Sequence, residues 1–92
     1  MELIQELHEM RAEMQEIDAK LVDVLARRQA LASTILKWKH KNKCPLHAPE
    51  LEWKIIERAV KMARNKGMED EDYIRSLYYM ILTHPFKRYH IQ

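Results

Sequence analysis

The amino-acid sequence predicts an all-α protein of three helices, one of them very long. Three observations point there. Leu3, Leu7, Met10, Met14, Ile17, Leu21, Val24, Leu31, Ile35 and Trp38 follow alternating spacings of four and three, with one break, the period of a helix buried along a seam. The single glycine and all three prolines fall after that stretch. Nothing along the chain reads as a strand.

The first helix is expected from about Glu2 to about Asn42, since no proline or glycine interrupts its period. The connection NKCPLHAPE follows, punctuated by Pro45 and Pro49. Pro49 suits the first turn of a second helix, where a missing N–H costs no hydrogen bond. That helix carries Ile55, Ile56, Ala59, Val60 and Ala63 on one face and should stop at Gly67. A third helix should start near Asp70, with Glu71 and Asp72 set against the positive end of its dipole. Its expected core face is Tyr73, Ile74, Leu77, Tyr78 and Ile81. Pro85 should kink or end it, because a proline there removes the bond to the carbonyl of Ile81.

At 92 residues the chain has room for one domain, 1–92, and little for a second core. Apolar residues make up 47% and charged residues 33%, a balance that favours folding over disorder. A formal charge of +2 gives no argument for nucleic acid. One cysteine, Cys44, cannot form an internal disulfide, which fits a reducing compartment. Glu2, Glu6 and Glu9 break up any signal-peptide hydrophobic region, and no apolar run is long enough to span a bilayer. The expectation is a soluble cytoplasmic protein with neither a membrane nor a nucleic acid as partner.

Length also bears on assembly. A helix of roughly 40 residues is about 60 Å long, whereas a compact domain of this size has a radius of gyration of about 12 Å. Two shorter helices cannot cover such a rod, and the uncovered half of its seam calls for a second copy. The expectation is a homodimer, its long helices packed antiparallel and wrapped by the shorter ones. A two-helix coiled coil with a loose tail is the plainer alternative.

Arg28 occupies the seam position due between Val24 and Leu31. A charge there is costly unless it is paired or solvated. Taken alone, it fits a structural ion pair with a glutamate of the second helix, or an arginine that snorkels out of the seam. Lys39 lies about three turns further on and projects from nearly the same face. The loop then brings Glu52, in the first turn of the second helix, back toward that end of the bundle. Two cations and one carboxylate in an otherwise apolar bundle suit a small anionic ligand. Arg11 lies about 25 Å before Arg28 along the same helix, too far for both to grip one small molecule from one chain. In an antiparallel dimer the partner's Arg11 can approach Arg28, and each arginine can hold a carboxylate by a forked pair of hydrogen bonds. Taken alone, Arg11 reads as a solvated surface arginine.

The run MRAEMQEIDAKLVDVLARR, followed by KWK and a proline-containing loop before a glutamate-bearing second helix, resembles the all-helical chorismate mutases. The likeness covers Met10 to about Leu82, and the spacing of Arg11, Asp18, Arg28 and Lys39 matches the family without gaps. The resemblance implies an intertwined three-helix homodimer with two equivalent sites for a small dicarboxylate substrate, and no cofactor. It implies that Arg28 and the partner's Arg11 hold the substrate carboxylates, that Lys39 approaches the ether oxygen, and that Glu52 meets the ring hydroxyl. Asp18 reads as a surface or packing residue. The reaction so implied, chorismate to prephenate, is a unimolecular rearrangement in which a carbon–oxygen bond breaks as a carbon–carbon bond forms. It requires no nucleophile or metal. What helps is holding the folded conformer and placing a cation near the oxygen that gains negative charge.

The chain also departs from the family. An aspartate in the loop and an arginine just before the glutamate are common there; Ala48 and Leu51 stand in those places. A glutamine near the C-terminus usually shares the ether oxygen with the lysine. Allowing one extra residue around Gly67 to Asp72, that place falls at or near Tyr89, whose hydroxyl can donate a hydrogen bond. The expected substrate-binding set is therefore Arg11, Arg28, Lys39, Ala48, Glu52 and Tyr89. APE, Ala48 to Glu50, is similar to the loop of isochorismate-pyruvate lyases, which share the fold and keep an arginine at the place of Leu51. An aminodeoxychorismate mutase and a non-catalytic helical dimer are further alternatives on the same scaffold.

Other features read more plainly. His8, His40, His47, His84 and His90 include no pair at a spacing of three or four residues, so no metal site is expected. Cys44 reads as a small buried or loop thiol. KWKHKNK, Lys37 to Lys43, reads as a solvated helix end favourable to the dipole, with Trp38 facing the seam; a nucleic-acid patch is its alternative. FKRYH, Phe86 to His90, reads as a charged tail or, if helical, as a segment lying over the pocket. Tyr78 and Tyr79 read as packing residues.

Overall fold

The structure, a computed structural model, describes residues 2–88, with side chains described for 2–86. Among the described residues the regular elements are three helices and no strand: α1 is Glu2–Lys41, α2 is Pro49–Asn65 and α3 is Glu71–Arg88. The three expected helices are all present. The chain divides into two compact units, Met1–Ile35 and Leu36–Gln92.

The first unit is helical, and its apolar seam is open to solvent in the single chain. Leu3, Met10, Met14, Leu21 and Leu31 each expose more than half of their surface. Arg28 is half-buried on this helix, whereas its neighbour Arg27 is exposed.

The second unit begins with the last turns of α1, where Leu36, a residue off the expected seam, is buried. Lys39, His40 and Lys41 fall in the final turn, where positive charge opposes the negative end of the dipole. The helix closes on two backbone bonds, Cys44 N–H to Lys39 O (2.8 Å) and Lys43 N–H to His40 O (3.3 Å). This closure puts Lys43 at φ +57°, a left-handed conformation that usually falls to glycine. Cys44 is half-buried and free.

α2 starts with Pro49 in its first turn, joined there by Glu50 and Glu52, which face the positive end of the dipole. It ends in the same way as α1, with Gly67 N–H donating to Arg64 O (3.0 Å) and Met68 N–H to Ala63 O (3.0 Å). Gly67 has φ +88°, so the expected glycine stop is the residue that makes this closure. Asp70 then accepts the Tyr73 N–H at 3.1 Å and caps α3.

α2 and α3 pack through Ala59, Val60 and Ile74, with Ala63 and Tyr78 partly buried against them. Outside this small core, Arg75 bonds Glu57 through two nitrogens at 3.2 Å each and Glu71 at 3.3 Å. Arg64 bonds Glu71 at 2.8 Å. The Arg64 bond, with a further contribution from Arg75, holds the Glu71 carboxyl below its ordinary range. A carboxyl lowered in the fold favours folding above its unfolded-state pKa and loses that contribution as pH falls through the folded value.

Three expectations need correction. Tyr73 is 56% exposed and does not belong to the core face. It sits about 100° around the helix from Ile74, which takes the buried position. Tyr79 is 62% exposed and is no packing residue of this chain, whereas Tyr78 does pack. Pro85 does not end α3, which runs through it to Arg88. Loss of one backbone bond is offset there by contacts: Pro85 is buried, and the Phe86 ring stacks on His47 with centroids 4.0 Å apart. Phe86 is accordingly part of a packed helix rather than of a charged tail.

Candidate functional site

The expected site residues are distributed over both units. Arg11 and Arg28 lie in the first, and Lys39, Ala48 and Glu52 in the second. Arg11 is exposed, as is Asp18, whose surface reading stands. Helical geometry separates Arg11 from Arg28 by about 25 Å on α1, so one chain cannot close both guanidinium groups on one small molecule.

Lys39 is half-buried, although Trp38 and His40 on either side of it are exposed. Its backbone carbonyl takes part in the closure of α1, which ties the residue to the helix end. The closure keeps the backbone that bears the Lys39 side chain from fraying.

Ala48 and Glu52 are brought together at the start of α2. The Glu52 N–H donates to the Ala48 carbonyl at 2.9 Å, closing the first turn. Ala48 holds the N-cap position with φ −137° and offers no side-chain acceptor. The Ala48→Asp variant should therefore gain about 1 kcal/mol of stability from capping, read as a raised thermal midpoint. An unchanged midpoint would mean that the carboxylate does not reach the free N–H groups of that turn.

The Glu52 side chain is about one-third exposed, and its Oε1 lies 3.9 Å from Nδ1 of His47. His47 in turn lies under Phe86, with an angle of 16° between the rings. Sequence reading weighed His47 only as a metal ligand and missed this contact. The partners are local in one case and distant in the other, so only the Glu52 spacing was there to be noticed. Tyr89 lies outside the described residues.

An open hollow of about 510 Å³ lies beside Ala48, Pro49, Glu50, Leu51 and Lys54. A second, of about 530 Å³, runs between α2 and α3 over Trp53, Ile56, Glu57, Arg75, Ser76, Tyr79 and Met80. Among the described residues no three His, Cys, Asp or Glu side chains gather as a metal site. No described helix is long and apolar enough to cross a membrane.

Residues 10–88 match the family described as chorismate mutase type II. The chain is 32% identical over 78 residues to the 4-amino-4-deoxychorismate mutase of Streptomyces venezuelae, a match that covers 85% of this chain and 75% of that protein. It is 27% identical over 82 residues to the chorismate mutase of Methanocaldococcus jannaschii, covering 89% and 82% respectively. No solved structure matches the chain significantly.

Proposed function

The chain belongs to the chorismate mutase type II family, and on that premise we propose that it rearranges chorismate to prephenate in a cationic pocket shared between two subunits. One observation carries the reading: the family match spans residues 10–88, which hold Arg11, Arg28, Lys39 and Glu52. Arg28 and the partner's Arg11 hold the two carboxylates by forked hydrogen bonds, and so select the folded conformer in which the reacting carbons meet. Lys39 donates to the ether oxygen as its bond to carbon lengthens and negative charge gathers there. Glu52 accepts a hydrogen bond from the ring hydroxyl, with Ala48 beside it. Tyr89 supplies a phenolic donor near the ether oxygen. Electrons move only within the substrate, so the chain's part is to bind, orient and stabilise charge.

The homodimer is supported by the open seam of α1. Completely covering a leucine or methionine side chain is worth about 1.5–3 kcal/mol, and Leu3, Met10, Met14, Leu21 and Leu31 all await a cover. In the proposed assembly the chain acts as one domain, 1–92, with its helices intertwined with those of a second copy. Its place is the cytoplasm, where a free thiol such as Cys44 persists.

A second reading has its own support. Ala48 replaces the aspartate common in the family, which leaves Glu52 alone to meet the ring substituent, and a carboxylate accepts from an amine as well as from a hydroxyl. A 32% identical relative is named for the amino substrate. Incubation of the purified protein with chorismate, 4-amino-4-deoxychorismate and isochorismate separates these readings. Prephenate formation with the highest kcat/KM on chorismate supports the first, and preference for the amine supports the second. Salicylate and pyruvate would identify a lyase, and a folded dimer inert to all three would identify a non-catalytic module.

A further inference from the structure

We infer that His47 is a positioning residue whose imidazole, clamped by Phe86, sets the carboxylate of Glu52 for the substrate ring. The inference rests on the proposed role of Glu52. His47 stands in the loop one residue before the N-cap of α2, on a segment whose side chains would ordinarily sample several rotamers. Here the ring is pinned. It lies parallel to Phe86 within 16°, with centroids 4.0 Å apart, a stacked geometry that favours one ring orientation. From that place Nδ1 stands 3.9 Å from Oε1 of Glu52, a spacing longer than a hydrogen bond that makes an ion pair with a protonated imidazole.

The consequence is a division of labour between the two carboxylate oxygens. Oε1 faces the histidine, and in the proposed site Oε2 is the acceptor for the ring substituent. A carboxylate carries acceptor sites on both oxygens, so the two contacts do not compete for one lone pair. Phe86 belongs to the turn of α3 that continues past Pro85, so the same stack also fastens the end of α3 to the start of α2. Without it Glu52 would keep its place on the backbone but lose its fixed direction.

The test is a double-mutant cycle on the intact protein with its best substrate. His47→Phe keeps an aromatic ring on Phe86 and removes Nδ1. Because the Glu52 contact is made alike in ground and transition states, KM should rise about tenfold with kcat within about twofold. His47→Gln, whose amide can donate to a carboxylate, should return KM to within about threefold of the parent. In a Glu52→Gln background, His47→Phe should add no further rise, since the two act as one unit. Circular dichroism and thermal unfolding verify that each variant folds. An unchanged KM in His47→Phe, or full additivity with Glu52→Gln, overturns the positioning role and leaves the mutase reading intact. A wild-type protein inert to every substrate overturns both.

Discussion

Lys39→Ala should lower kcat by about 100-fold to 1,000-fold while the protein remains folded and assembled. The magnitude follows from where charge develops. In the proposed reaction the ether oxygen of the substrate is neutral and gains little from an ammonium group, whereas in the transition state it carries partial negative charge. A donor aimed at that oxygen is therefore worth far more at the barrier than in the bound complex, and its loss falls on kcat rather than KM. The rest of the molecule should tolerate the change. Lys39 is half-buried; alanine supplies its backbone carbonyl equally well, and Lys41 keeps positive charge at the helix end. Steady-state kinetics beside circular dichroism and light scattering checks both halves. Normal turnover would remove Lys39 from the reaction.

The second large effect comes from mixing two impaired proteins. Arg11→Ala and Arg28→Ala homodimers should each lose about 10-fold to 100-fold in kcat/KM, since each site lacks one forked bond to a carboxylate. A site that takes Arg28 from one chain and Arg11 from the other behaves differently in the mixed dimer. One of its sites carries both substitutions and the other carries neither. Random reassembly of equal amounts makes about half the dimers mixed, each with one intact site of two, so activity should recover to about a quarter of the parent. Recovery is measured after denaturing the variants together and refolding them, against the same variants refolded apart. A mixture no more active than the average of its components would show that each site is built from one chain.

Much of the fold was legible because its signals are local. Pro49 at the first turn of α2 and Gly67 beyond its end depend on backbone conformations that few other residues share, and both stand where they were expected. The long helix was legible from its period alone. Other features depended on residues distant in sequence. Pro85 reads locally as a break, and only the stacking of Phe86 on His47 and the burial of the proline ring explain a helix that continues. Leu36 is buried although the seam passes it by, and Tyr73 is exposed although a helical period places it on the expected core face. Periodicity gives a face to a helix but does not say how much of that face its neighbours reach. Arg28, Lys39 and Glu52 were read as a polar cluster from type and spacing and the rest of the set from the family resemblance, and the structure adds the tie between Ala48 and Glu52 and the histidine beside them.

The uncovered stripe of α1 has a thermodynamic corollary. If a second copy supplies its cover, folding and association are one equilibrium, and mass action governs how much of the protein is native. Each tenfold dilution then removes about 1.4 kcal/mol from the assembled state, so the melting temperature should track protomer concentration. The amount of the protein a cell holds would thereby set both how many sites exist and how long each survives.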